Sequence, residues 1–412
     1  MSQCKPDTSA GNWRETFISL RSVNFRWLWL GVLSMMGGMQ MEMVARSYLA
    51  YEITSSALIL GVVNAGFAVP MLALSLFGGA VADRLNKKRV IQVCQALAGL
   101  TSFGIALSIS THTVTWVHLF FGSFLNGIIF AFMVPSRTAI IPELVSRDMV
   151  TNALALNAAA MSMTTLLAPA FAGNLYTLLG PDGVYYLMSA LEFTSIFFTG
   201  LIKINNDIPE NHSTAMFAEI AEGIKYIGRN RLVIVLLTMA LATSLLAMPI
   251  RYIMPIFVID IYHQGPDTLG LLLSALGIGA LLGSLGIAAM GRWRRGVVLI
   301  LGGILSAIGL ILLALVHLYL VAVGIMFLLG LGDSTRRTLN MAMILEVVED
   351  EYRGRVSSVY TMNFGLMPLG ILPASIIAEY FGGPSAAATL GILLLAICLG
   401  FLVTQKRLRS MV

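Results

Sequence analysis

Between Arg89 and Arg137 the chain runs without a single Asp, Glu, Lys or Arg. A helix needs roughly 20 apolar residues to cross about 30 Å of hydrocarbon, so a stretch this long cannot be a single crossing. It must turn back, and the polar STHTVT at 110–115 supplies the turn. Residues 296–332 split the same way around Val316 to Leu318. Over the whole chain only 11% of residues are charged and 57% are hydrophobic. A soluble domain could not cover its surface with so little charge. The solvent around most of this chain is lipid, and the expected class is an all-α membrane protein. Twelve spans are read, at about 27–51, 56–81, 90–110, 115–136, 150–177, 183–202, 232–260, 268–290, 296–315, 318–337, 355–380 and 385–404.

The connectors divide by charge. Of the 26 Lys and Arg residues, all but Arg46 and Arg251 fall in the two tails or in every second connector: 84–89, Arg137 with Arg147, 203–231, 292–295 and 336–355. The connectors near 53–56, 110–116, 179–183, 262–268, 316–319 and 382–385 hold no Lys or Arg. Basic loops stay in the cytoplasm during insertion, so an even number of spans with both termini cytoplasmic is expected. The net charge of +5 then sits in loops that meet anionic headgroups. No basic stripe suited to nucleic acid is visible. Cys4, Cys94 and Cys398 fit no metal spacing and no disulfide framework. The polar first 26 residues lack a signal-peptide core, so the first span is expected to be an uncleaved anchor.

The longest polar connector, 203–231, lies mid-chain. It places Phe217, Ile220, Ile224 and Ile227 at helical spacing, with Glu219, Glu222, Lys225 and Arg229 elsewhere. It reads as a surface helix, on the membrane or in solvent, joining two six-helix halves. The expected division is a tail at 1–26, a bundle at 27–202, the linker at 203–231, a second bundle at 232–404 and a tail at 405–412. A shift of 203 residues lays IPELVSRDMVTNALAL (141–156) on ILEVVEDEYRGRVSSV (344–359). It also pairs Gly127 with Gly330, Glu143 with Glu346, Gly180 with Gly383 and Pro181 with Pro384, and a shift of 205 pairs Arg46 with Arg251. A duplicated six-helix unit in a membrane points to a substrate path between the halves.

Between the second and third spans stands GGAVADRLNKKRV (78–90). It resembles the signature loop of the major facilitator superfamily, G-x-L-A-D-R-x-G-R-K, through Gly79, Ala82, Asp83, Arg84, Lys87 and Lys88. Val81 replaces Leu, and Asn86 replaces the second Gly, where Asn is an acceptable residue for positive φ. The resemblance implies a loop that latches the cytoplasmic ends of the two halves, with Asp83 pairing to basic groups and a helix N-terminus. The equivalent loop of the second half, 286–296, has no Asp, so the latch is asymmetric. PSRTAIIPELVSRDMVTNALALN (135–157) and EDEYRGRVSSVYTMNFGLMPLG (349–370) are similar to stretches of bacterial exporters of the macrolide-efflux and enterobactin-export type. That likeness implies the bacterial inner membrane. LLAPAFAGN (166–174) resembles the G-P-x-x-G-G antiporter motif, with Ala168, Pro169, Ala172 and Gly173 in the matching positions. Its alternative reading is packing of small residues against the other half.

Charged groups inside spans are costly and mark ion paths or substrate contacts. Glu42 and Arg46 lie one turn apart on the first span and can pair. Burial favours the neutral carboxyl and the guanidinium favours the charged one, a tension suited to binding and releasing a proton; a static pair is the alternative. Arg251 is placed to face an anionic substrate group across the cavity. Glu192, Met39, Asn64, Asn126, Asn157 and Asn363 are the further candidate cavity residues, the asparagines being equally suited to interhelical hydrogen bonds. Met35, Met36, Met39, Met41 and Met43 make the first span adaptable to apolar ligands or simply lipid-facing. Asp333, one turn before Arg336 and Arg337, reads as a structural cluster at the cytoplasmic end. Asp260 and Glu379 read as solvated residues at outer helix ends.

These observations imply a proton-coupled secondary exporter of lipophilic or amphipathic small molecules, working by alternating access as a monomer. An importer, a uniporter or a lysolipid flippase on the same fold, or a receptor without flux, is the alternative. No phosphate-binding G-x-x-x-x-G-K-[ST] loop is present, so ATP is not an internal energy source. The five histidines show no metal spacing and no catalytic constellation. Neither an enzyme nor a cofactor is expected.

Overall fold

The structure is a computed structural model that describes residues 17–203, 222, 225–290, 294–362 and 365–409. For 76, 79–84, 358, 361 and 362 it describes the backbone alone. The first half is built from α1 (Val23–Thr54), α2 (Ala57–Arg84), α3 (Lys87–Ser110), α4 (Trp116–Leu144) and the long α5 (Val150–Gly200). The second half is built from α6 (Arg231–Leu246), α7 (Ile250–Ile256), α8 (Pro266–Met290), α9 (Arg295–Leu315), α10 (Tyr319–Val347), α11 (Arg353–Met362), α12 (Pro368–Phe381) and α13 (Gly383–Thr404). Among the described residues nine helices are long and apolar enough to cross a membrane. Within that count Gly180 (φ 74°) breaks α5 into two segments, and α1 and the α11–α12 pair lie outside it.

Side chains at the turns explain the breaks. Ser22 Oγ accepts from the Phe25 N–H at the start of α1, and Ser55 ends α1 in a left-handed conformation. Asn86 departs from expectation: its φ is −62°, and its side chain instead caps α3 by accepting from the Arg89 N–H at 3.1 Å. In the second half the left-handed residue is Gly382 (φ 85°), one position before the Gly383 that the repeat pairs with Gly180.

Two expected spans are not continuous helices. The one at 232–260 breaks at 247–249, just before α7, and α7 runs on into a π-helical turn, Phe257–Ile261. The one at 355–380 is interrupted between α11 and α12, ahead of Pro368. A proline removes a backbone donor and clashes with the preceding turn, so Pro249 and Pro368 stand at the starts of the new segments.

The repeat is visible in packing. Helix α2 lies on α4 as α8 lies on α10, and α3 meets the later part of α5 as α9 meets α13. Gly127 of α4 touches the Phe67 carbonyl of α2, and Gly330 of α10 touches the Leu276 carbonyl of α8; a Cβ at either would collide with backbone. Lys87 pairs with Glu143 at 2.6 Å, and Arg295 pairs with Glu346 at 3.1 Å. Of the connector 203–231, most lies outside the described residues. Its last turn packs on the start of α11: Tyr226 stacks on Tyr352 at 4.3 Å, and Glu222 pairs with Arg355 at 2.9 Å.

The halves meet through α5 against α8 and through α2 against α12. Gly173 of α5 touches the Pro266 carbonyl, Gly270 of α8 touches the Pro169 carbonyl, and Gly61 of α2 touches the Ser375 side chain. Small residues bring these backbones together. All three contacts lie toward the end of the bundle opposite the basic connectors.

Candidate functional site: a buried acid–base pair between two half-bundles

Helix periodicity puts Glu42 and Arg46 of α1 on one face, and the structure pairs them. Arg46 Nη1 donates to both Glu42 oxygens, at 2.6 and 2.7 Å. The two residues are 4% and 3% exposed, and Arg46 Nε has no partner. A carboxylate removed from water this completely needs its cation.

Across the seam, Tyr252 lies within electrostatic reach of both Arg46 and Arg251. Arg251 follows the break before α7 and lines a small space with Ala247, Met248, Leu276, Ser306 and Asp333. Asp333 pairs with Arg336 at 2.6 Å and lies 3.6 Å from Arg337, as its spacing suggested. It is nevertheless 7% exposed and within electrostatic reach of Arg251, so the cluster belongs to the interior of the second half.

The remaining cavity candidates divide. Asn64 Oδ1 accepts from Ser47 Oγ at 3.1 Å, a bond between α2 and α1. Asn126 is buried with Oδ1 unpartnered, whereas Asn157 is half-exposed. Asn363 lies outside the described residues. Glu192 is buried against Gly38 of α1. Met35, Met36 and Met41 are core side chains; Met39 and Met43 are partly exposed.

A family model described as the Major Facilitator Superfamily matches residues 28–370. The chain belongs to this superfamily. It is therefore a multi-pass membrane transporter and not an enzyme. It is 25% identical to the staphyloferrin A transporter of Staphylococcus aureus, over 86% of this chain and 89% of that protein. It is 22% identical to macrolide efflux protein A of Streptococcus pyogenes, over 87% and 90%. The crystal structure of nucleoside transporter NupG superposes with a TM-score of 0.77 at 14% identity, covering 93% of this chain and 99% of that one. That last likeness concerns the fold.

In this superfamily member the signature loop makes its described contacts inside the first half. Lys87 holds Glu143, and Lys88 donates to the carbonyls of Gly200 at 2.8 Å and Ile202 at 2.6 Å. Gly79, Asp83 and Arg84 belong to the last turns of α2, and their side chains lie outside the described set. Pro169 and Gly173 lie on the α5 face that packs on the start of α8, and Ala168 and Ala172 are buried beside them.

Sequence reading missed a clamp at the end opposite the basic loops. Tyr51 of α1 donates a short hydrogen bond to Asp260 of the second half. Glu379 of α12 accepts from Ser56 Oγ at 3.1 Å and from the Leu58 N–H at 2.9 Å, capping the first turn of α2 across the seam. Neither acid is merely solvated. The signal was available: Ser55-Ser56 before an apolar run announces a helix start that can accept an anionic cap.

Proposed function

We propose that this transporter is a proton-coupled exporter of lipophilic or amphipathic small molecules, residing in the bacterial cytoplasmic membrane as a monomer with both termini inside. Residues 27–202 and 232–404 act as its two moving halves, joined by the 203–231 linker. The names of its bacterial relatives support the substrate class, and the charge bias of the connectors supports the orientation. With the basic loops inside, the contacts of α5 with α8 and α2 with α12 close the outer end. The described state then faces the cytoplasm; the signature loop, with Gly79, Asp83, Arg84, Lys87 and Lys88, is the gating segment, and its Lys87 and Lys88 are engaged within the first half.

The observation that carries the reading is the buried Glu42–Arg46 pair on the helix that faces α7. While Glu42 is ionised, it holds Arg46. When it takes a proton, the guanidinium loses its counter-charge and can turn toward the cavity, where Tyr252 and Arg251 stand. Proton loss restores the pair and displaces an anionic or amphipathic ligand. Met39, Asn64, Asn126 and Asn157 offer apolar and polar walls to that cavity. Glu42→Gln fixes the protonated charge state. It should keep substrate exchange in liposomes but lose accumulation driven by a pH gradient. Undiminished uphill transport by Glu42→Gln would rule out Glu42 as the coupling group.

A further inference from the structure

Glu192 has no role in that scheme, yet its surroundings are unusual. In the first half, α5 lies against both α1 and α3, and the later part of α5 shares one seam with them. Its polar layers recur every seven residues, at Gln95 and Ser102 on α3, at Thr199, Glu192 and Tyr185 on α5, and at Gly31 and Gly38 on α1. Seven residues of helix span about 10 Å, so the layers stack along the membrane normal.

The layer nearest the basic loops holds Gln95, Thr199 and Arg137. Gln95 Nε2 donates to Thr199 Oγ1 at 2.9 Å, while Gln95 Oε1 has no protein partner. Arg137 of α4 is 3% exposed; its Nη2 meets Met161 Sδ at 3.2 Å, and its Nε and Nη1 are unpartnered. They border a cavity of about 10 Å³, the scale of a single water.

In the next layer Glu192 is 1% exposed. Its nearest neighbours are Gly38 of α1, whose Cβ position lies 3.4 Å from Glu192 Cγ, and the Ser102 hydroxyl of α3. Its Oε2 has no partner, and no ion pair reaches it among the described residues. The charged group within electrostatic reach of it is Glu42 on α1, already paired with Arg46; α3 offers Ser102 and Gln95, and α5 itself offers Tyr185. In the third layer the buried Tyr185 hydroxyl is unpartnered, within electrostatic reach of Glu42, Arg46 and Glu192.

A carboxylate without a cation is far costlier at such a depth than a neutral carboxyl. Glu42 has its cation and Glu192 does not. Two acids in one seam, with the Gly38 that abuts Glu192 one helical turn from Glu42, therefore stand in opposite charge states, the arrangement that lets one donate and the other accept. We propose that Glu192 is a proton-carrying residue in a conduit between α1, α3 and α5, which connects Glu42 to the cytoplasmic face through Gln95 and Thr199, apart from the substrate path. The inference rests on the proton-coupled reading of Glu42. In the transfer, the O–H bond of Glu192 breaks as its proton passes to a water on the cytoplasmic side, toward the water-sized space bordered by Gln95, Thr199 and Arg137; the carboxylate so formed takes the proton that Glu42 received from outside, and Glu42, ionised again, re-forms its pair with Arg46.

The test uses purified full-length protein in liposomes, with erythromycin as the transported probe. Infrared spectroscopy at neutral pH should show the carbonyl band of a protonated carboxylic acid. That band should vanish in Glu192→Gln and persist in Glu42→Gln and Gln95→Leu. Under a gradient of one pH unit, a lost coupled proton lowers the attainable accumulation about tenfold. Glu192→Gln should show that loss with exchange intact. Gln95→Leu, which keeps both acids, should slow uphill flux. A band unaffected by Glu192→Gln overturns the proposal, as does full accumulation by that variant or undiminished flux in Gln95→Leu. If the parent fails to concentrate erythromycin, the export reading fails for that probe, and the infrared band alone decides Glu192.

Discussion

Replacing Tyr51 with Phe removes one hydroxyl from the outer clamp and nothing else. The bond it makes to Asp260 is charge-assisted and crosses between the halves, so it exists only while the outer end is closed. Hydrogen bonds to charged groups contribute about 1.5–3 kcal/mol when buried. Asp260 is exposed, and solvent competition reduces the contribution to about 1 kcal/mol. A ligand-free two-state equilibrium should therefore move about fivefold toward the outward-open state in Tyr51→Phe. Glu379→Gln weakens a second, separate contact, and the two effects should multiply to about 25-fold.

The assay is labelling of Ala172→Cys, in a background lacking Cys4, Cys94 and Cys398, by a membrane-impermeant maleimide added outside. Ala172 is 1% exposed and adjoins Gly173, which touches the Pro266 carbonyl across the seam, so its rate reports the open fraction. Labelling of Tyr51→Phe at the parental rate, in protein with unchanged melting temperature, would show that this bond does not hold the outer end shut.

Two further outcomes follow from the architecture. A cysteine at Thr113 should react with an impermeant reagent from outside and one at Asn86 should not; the reverse would invert the orientation. Gly270→Val places a branched side chain against the Pro169 carbonyl. It should prevent closure of the outer end and cut transport about tenfold, read as fast labelling of Ala172→Cys; slow labelling would mean the seam adjusts.

The broad fold was legible because lipid leaves few options: uncharged runs announce the helices, a duplicated pattern announces the repeated packing, and the charge bias carries the proposed orientation. The Glu42–Arg46 pair was legible because i, i+4 spacing places both on one face whatever surrounds them. Contacts between distant segments were not. Nothing local to Tyr51 points to Asp260, 209 residues away. The same holds for Gln95 and Thr199, 104 apart. The breaks before α7 and α12 were missed for another reason. Proline is tolerated inside membrane helices when neighbours satisfy the freed backbone groups, so Pro249 and Pro368 alone do not announce an end. Pro70 and Pro169 indeed sit within continuous helices.

The glycine-lined seam also acts as a pivot. Backbones touching at Gly173 and Gly270 leave no side chains there to compress, so the halves can roll on each other near one end at little cost. From Gly277, where an added Cβ would stand 3.2 Å from Leu166 Cα of α5, α8 continues 13 residues to Met290, a lever arm of roughly 20 Å. A rotation of about 15°, the size of subunit shifts in other two-state proteins, would sweep the far tip through about 5 Å. Such leverage turns a motion too small to unpack the pivot into an aperture wide enough for a small molecule.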